Sequence, residues 1–474
     1  MNISIDRRPL WLVFALKGFR PLFFLLLGLF FWYAISMPTP SGLSIEGHKI
    51  IVLFFIALAL WVTNTIPLAI TSIFVIMAIP LLGVMDTKET YALFGNEAIF
   101  FILGAFILSA AVMHSGLSSR IALTILERFG TTPRKLILTI FLLGTFLSFV
   151  MSEHAVAAMI FPIVLEIAKE LDLKPRKTNY GKLLFLSLAW GCIIGGVATF
   201  LGGARVPLAV GILKETSGIG IGFFEYSLAV LPAVFIMLII GFFILLKVYP
   251  IDIDSIERAR TGLVAKNKAL GNMGYEEYLI GILMGVTVFL WAFFGKDLGL
   301  ANIALGAVVV LFIFRLVRWR DVEDYVNWGI ILMYGGAITL GSALAGSGAA
   351  EWATNLMLGS SGLRPWAIIA ILSLLTLFLT EGMSNSAVIA ILMPIAGGIA
   401  MKFRLDPKII TYAIAMPAGL AFTLPMSTPA NAIAVSSGYL SVFDMAKAGI
   451  LVSLSAWIVF NLMVWVYWPM LGIR

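Results

Sequence analysis

Two stretches of this chain place groups suited to proton transfer or anion binding inside apolar surroundings. "MSEHAVAAMIFPI" (151–163) sets Ser152, Glu153 and His154 together, and "GGVATFLGGARV" (195–206) carries Thr199 and Arg205. Histidine titrates near neutrality and burial pushes a glutamate towards it, so an adjacent pair can carry a proton. Arginine keeps its proton and holds a carboxylate through two parallel hydrogen bonds. Two further stretches are polar without charge at their centres. "EGMSNSAVIAILMPI" (381–395) contains Ser384, Asn385 and Ser386, and "LAFTLPMSTPANAIAV" (420–435) contains Thr428, Pro429 and Asn431. Proline inside an apolar helix removes a donor and frees a carbonyl. A helix broken there presents N-termini that favour anions and carbonyls that coordinate cations. These residues are candidates for a site holding a carboxylate and a small cation. The plain alternative is that Ser and Asn merely bond helices together.

The elements that must position these groups follow from composition. Of 474 residues, 61% are hydrophobic and 12% charged, and apolar runs of about 18 residues or more recur. The chain is a polytopic membrane protein, and without the strict alternation of barrel strands its fold class is all-α. The formal charge of +7 does not imply nucleic acid, because the basic residues cluster between apolar runs, where they anchor loops on the cytoplasmic side. One cysteine, Cys192, excludes an intrachain disulfide, and three histidines with no HExxH pattern argue against an enzyme or a metal centre. Two separate polar tips do not make the donor ring of a channel filter.

Apolar runs fall near 20–36, 48–63, 65–83, 97–115, 183–212, 223–248, 277–295, 300–317, 328–347, 409–437 and 446–470, which predicts eleven crossings. The stretches 134–165 and 365–396 have polar centres and read as re-entrant hairpins. The first run follows basic residues as a signal peptide would, but its length reads as a span. Basic segments 7–20, 169–182, 247–270 and 315–320 then share one side, which places the N-terminus in the cytoplasm. "SSRIALTILERFG" (118–130) reads as an amphipathic arm on the membrane surface, and His48 and His114 as interfacial.

An internal repeat organises the chain. Gly104, Ser115, Gly116, Pro133, Ser152, Ala155, Val156, Pro162 and Ile163 recur 232 residues later, as Gly336, Ser347, Gly348, Pro365, Ser384, Ala387, Val388, Pro394 and Ile395. Five crossings between equivalents make the copies enter the membrane from opposite sides, the inverted repeat of many secondary transporters, with substrate bound between broken helices at the midplane. The expected division is 1–47 as the N-terminal segment and first span, 48–249 as the first repeat (hairpin 134–165, broken span 183–212), 250–276 as a linker with solvated charges, and 277–474 as the second repeat (hairpin 365–396, broken span 409–437).

With these motifs, "WVTNTIPLAITSIFVIMAIPLLGV" (61–84), "SNS" at the second hairpin and "STPAN" (427–431), the chain resembles the divalent anion/sodium symporters, which carry di- and tricarboxylates or sulfate. "SNS" is one methyl short of that family's Ser-Asn-Thr, and "STPAN" is similar to its Thr-Pro-Pro-Asn. The resemblance covers nearly the whole chain. It implies eleven spans and two hairpins, a homodimer built on a scaffold domain, and a transport domain that moves as an elevator. It also implies a bacterial plasma membrane location, no cofactor, and one carboxylate and one sodium at each tip, which assigns substrate contact to Ser152, Glu153, His154, Thr199, Arg205, Ser384, Asn385, Ser386, Thr428, Pro429 and Asn431.

The first half departs from that pattern, since Glu153, His154 and Arg205 fall where the family puts its first sodium. Ionised groups at membrane depth are costly unless paired, so these three are expected to be functional. One reading is that Arg205, with or without a protonated His154, replaces the sodium. A fixed cation would leave the empty carrier charged and favour sodium-independent exchange of C4 or C5 dicarboxylates such as succinate, malate or 2-oxoglutarate. If instead Glu153 pairs with Arg205, the empty site is neutral and that argument loses force. Proton coupling through Glu153 and His154, or sodium at the intact second-half motif, is the alternative.

Overall fold

The computed structural model describes residues 10–358 and 362–473, all of them helix or connecting loop. The first group is α1 (Leu10–Ser36), α2 (Ile45–Thr63), α3 (Leu68–Leu81), α4 (Thr87–Ala92), α5 (Glu97–His114) and α6 (Leu117–Phe129). The first hairpin is α7 (Pro133–Leu147) with α8 (Glu153–Glu170). The first broken span is α9 (Asn179–Gly196) with α10 (Arg205–Ser217), followed by α11 (Phe223–Val248). The linker helix α12 (Glu257–Ala269) leads to α13 (Tyr275–Leu298), α14 (Leu300–Ile313), α15 (Trp319–Val322), α16 (Trp328–Gly346) and α17 (Ala349–Leu358). The stretch expected as the second hairpin forms α18 (Pro365–Gly382) and α19 (Asn385–Phe403), each long and apolar enough to span, and the stretch expected as the second broken span forms α20 (Pro407–Ala415) and α21 (Pro429–Ser436). The chain closes with α22 (Val442–Leu462) and α23 (Trp468–Met470). Among the described residues eight helices are long and apolar enough to cross a membrane.

Local chemistry accounts for the ends that matter. Thr132 caps α7 by accepting the Lys135 N–H, with Pro133 at the first helical position, and Asp406 with Pro407 does the same for α20. Ser384 caps α19 and Thr428 caps α21, so the polar tips are at once helix caps and candidate ligands. The first hairpin packs against its broken span through glycines: a side chain at Gly191 or Gly195 would collide with the carbonyls of Phe141 or Thr145. That contact holds α7 backbone-to-backbone on α9.

Several expectations need adjustment. The run read as 300–317 stops being helical at Ile313, two residues before Arg315 enters the left-handed region at φ 53°. The arm at 118–130 forms α6, and its repeat equivalent α17, which sequence reading missed, starts 232 residues later. The linker charges are not simply solvated. Lys266 pairs with Glu166 of α8, Asn267 bonds Glu127 of α6, and Arg120 binds both Glu277 and the carbonyls of Leu270, Gly271 and Asn272. The linker helix is thereby tied to the first hairpin and to the arm. Arg7 and Arg8 of the expected cytoplasmic anchor lie outside the described residues.

Candidate functional site

A cavity of about 760 Å³ collects the tips of both hairpins and both helix breaks. Glu153 and His154 open α8, Gly203 to Arg205 open α10, Ser384 to Ser386 open α19, and Thr428 with Pro429 opens α21. Four helices therefore begin at one cavity, each directing the positive end of its dipole and its uncommitted N–H groups there. The arrangement suits an anion with more than one negative group. The rest of the lining comes from Arg20 of α1, the α2–α3 turn (Asn64 and Thr65), the start of α3, and Asn327 with the start of α16. At the far end of the bundle, Lys214 of α10 pairs with Glu97 of α5, and Lys296 of α13 with Glu225 of α11.

The first-half charges are committed to each other. Arg205 Nη1 donates to Glu153 Oε2 at 3.2 Å, with the two side chains 2% and 4% exposed. Glycine makes room for this pair: side chains at Gly196, Gly203 or Gly419 would overlap the carboxylate or the guanidinium. Gly419 belongs to the second break, so Arg205 reaches from one half of the repeat to the other. Its Nε and Nη2 are buried without a protein partner, and it lines the cavity. The expectation of a free positive charge in the first half is corrected by this geometry, because Glu153 neutralises Arg205. His154 lines the cavity, with Nε2 3.4 Å from the Ser152 hydroxyl.

Three sequence candidates lie behind the cavity wall. Thr199 donates to the Phe149 carbonyl at 2.7 Å and accepts the Leu201 N–H, which ties the first break to the first hairpin. Ser152 is buried at the N-cap position of α8, where its hydroxyl makes no capping bond. Asn431 is fully buried, and its Nδ2 donates to the carbonyls of Ala421 and Leu424 and to the Ser427 hydroxyl. These three shape the tips; the geometry does not make them substrate contacts. The Asn431 Oδ1 has no partner, and an orphaned buried amide oxygen in a helix break is a donor that suits a hard cation. Sodium as a co-transported ion fits the second half on that observation.

Sequence reasoning missed Glu381 and Thr380. The Glu381 carboxylate accepts the backbone N–H groups of Phe422, Thr423 and Leu424 at 3.0–3.1 Å and the Ser453 hydroxyl at 3.2 Å. Thr380 bridges the Asn385 side-chain oxygen and the Ala418 carbonyl, at 2.7 and 2.9 Å. Both residues fix the second break against its own hairpin. The signal was present for Glu381, an acid inside an apolar hairpin like Glu153, and Phe149 holds the equivalent place 232 residues earlier.

A family model described as the sodium:sulfate symporter transmembrane region matches residues 20–474. The chain belongs to this family of divalent anion/sodium symporters. It is a multi-pass membrane transporter and not an enzyme. Among its relatives, the sodium-dependent dicarboxylate transporter SdcS of Staphylococcus saprophyticus is 28% identical over 477 residues, covering 95% of this chain and 92% of the relative. SdcS of Staphylococcus aureus is 30% identical over 480 residues, covering 96% and 91%. Two solved structures share the fold. The Neisseria gonorrhoeae antimetabolite efflux pump MtrF has a TM-score of 0.57 at 15% identity, over 80% of this chain and 83% of that one. The Alcanivorax borkumensis transporter YdaH has a TM-score of 0.53 at 12% identity, over 79% and 86%.

Proposed function

We propose that this protein is a secondary transporter of short dicarboxylates coupled to sodium bound in its second half. The observation that carries the proposal is the convergence of four helix N-termini, two of them capped by Ser384 and Thr428, on one cavity. One carboxylate sits at the second tip (Ser384, Asn385, Ser386) with Thr428 and Pro429. The other meets His154 and the N-terminal ends of α8 and α10 at the first tip. The relatives' names, as sodium-dependent dicarboxylate transporters, support both the substrate class and the ion. C4 and C5 dianions fit the requirement for two separated negative groups.

The exchange reading gives way to symport on electrostatic grounds. A site that is neutral when empty, as the Glu153–Arg205 pair makes the first half, carries no unbalanced fixed charge to oppose return of the empty carrier. The pair takes the place of the first sodium, leaving sodium to the carbonyls and amide around Asn431. In this reading the hairpins and broken spans move together against α1–α5, α13, α14 and α16 as an elevator. The N-terminus is cytoplasmic, the cavity opens to the cytoplasm, and the protein works as a homodimer in the bacterial plasma membrane.

The test is uptake of labelled succinate into proteoliposomes, with and without an inward sodium gradient and with and without internal dicarboxylate. Sodium-driven uptake into vesicles lacking internal substrate is expected. Uptake that requires internal dicarboxylate and ignores sodium would return the protein to exchange, and drive by a proton gradient would make Glu153 and His154 the ion carriers.

A further inference from the structure

Arg20 of α1 lines the same cavity as the hairpin tips and has no role in the site described so far. Among the described residues lining the cavity, the side chains of Lys, Arg, Asp or Glu are Arg20, Glu153 and Arg205, and the last two pair with each other. Arg20 has no carboxylate partner among the described residues. It is nonetheless held in place. Its Nε and Nη2 both donate to the Thr65 carbonyl, at 3.3 and 2.8 Å, in the turn between α2 and α3. Two donors on one acceptor fix the guanidinium at the cavity wall and leave Nη1 over for another acceptor.

The placement matters because of what carries it. Arg20 and Thr65 belong to the wall that stays still when the tips move. A cation on the tips acts on bound substrate throughout the cycle, whereas a cation on the static wall acts only while the tips face it. We infer that Arg20 is a one-sided affinity determinant: it attracts the dianion on the face to which the cavity opens here, and has no influence when substrate enters from the other face. The inference rests on the transport reading above. Because the guanidinium is exposed, its effect is that of a solvated ion pair, roughly a 1.5- to 5-fold change in affinity, and it weakens as salt rises.

The asymmetry is measurable from each side. Cys192 is buried and does not report accessibility, so Lys268→Cys on the exposed side of α12, labelled with a membrane-impermeant maleimide, gives the orientation of the protein in proteoliposomes. Half-saturation for labelled succinate is then measured from each face for the wild type, Arg20→Gln and Arg20→Lys. Arg20→Gln is expected to raise half-saturation about threefold from the cavity face alone, with Arg20→Lys close to wild type and the difference shrinking towards 1 M salt. An equal rise on both faces, a rise only from the opposite face, or no change on either overturns the inference alone. Absence of succinate uptake by the wild type from both faces overturns the transport reading and this inference with it.

Discussion

Replacing Glu153 with Gln removes one charge from a pair that the structure buries almost completely, and it should change the mode of transport more than the affinity. The two groups are 3.2 Å apart, so at an effective dielectric constant of 20 their attraction is about 5 kcal/mol. Without the carboxylate, Arg205 becomes an unbalanced charge on the moving element. Carrying one such charge through the bilayer centre costs about 2.5–3.5 kcal/mol on the insertion scale, which slows return of the empty carrier by roughly 70- to 400-fold. Net succinate uptake into empty vesicles should fall by that order, while exchange against internal succinate persists, because the loaded domain brings its own negative charge. Breaking one side of a buried pair also destabilises, by about 3–5 kcal/mol, so apparent Tm in detergent should be recorded alongside. The double variant Glu153→Gln/Arg205→Gln should recover more than half of the Tm lost by either single variant. Net uptake that survives in Glu153→Gln, or a Tm loss in the double equal to the sum of the singles, would refute the claim that the pair keeps the empty site neutral.

Two further perturbations probe the second half. Glu381→Gln replaces a carboxylate that accepts four donors with an amide that cannot accept them all, and should raise the sodium concentration for half-maximal uptake several-fold by loosening residues 422–424. An unchanged sodium dependence with lowered Tm would make Glu381 purely structural. Gly419→Ala drives a methyl group into the Arg205 guanidinium and should abolish succinate binding by isothermal titration while leaving expression intact; retained affinity would mean that the contact between the two halves is dispensable.

The sequence by itself determined the class of the fold, an all-helical membrane protein, because the signals for it are local or periodic. Apolar length fixed the helices, prolines at 162 and 394 and the shift of 232 exposed the repeat, and "SNS" and "STPAN" lay at helix starts where their hydroxyls cap. The type of chemistry was legible too, since acids and bases inside apolar runs are too costly to be idle. What only the tertiary structure decided was which groups meet. Whether Arg205 is free or paired depends on a contact across 52 residues, and its approach to Gly419 depends on two halves folding against each other. No spacing rule encodes either contact. The same holds for Thr199, whose hydroxyl is spent on the Phe149 carbonyl, and for Asn431, whose Nδ2 holds the second break while its Oδ1 is left without a protein partner. Arg20 lay among the basic residues read as a membrane anchor until the turn at Thr65 brought it to the cavity wall. A side chain's type limits the chemistry available to it, and only its neighbours in three dimensions determine whether that capacity is used in binding or in holding the fold.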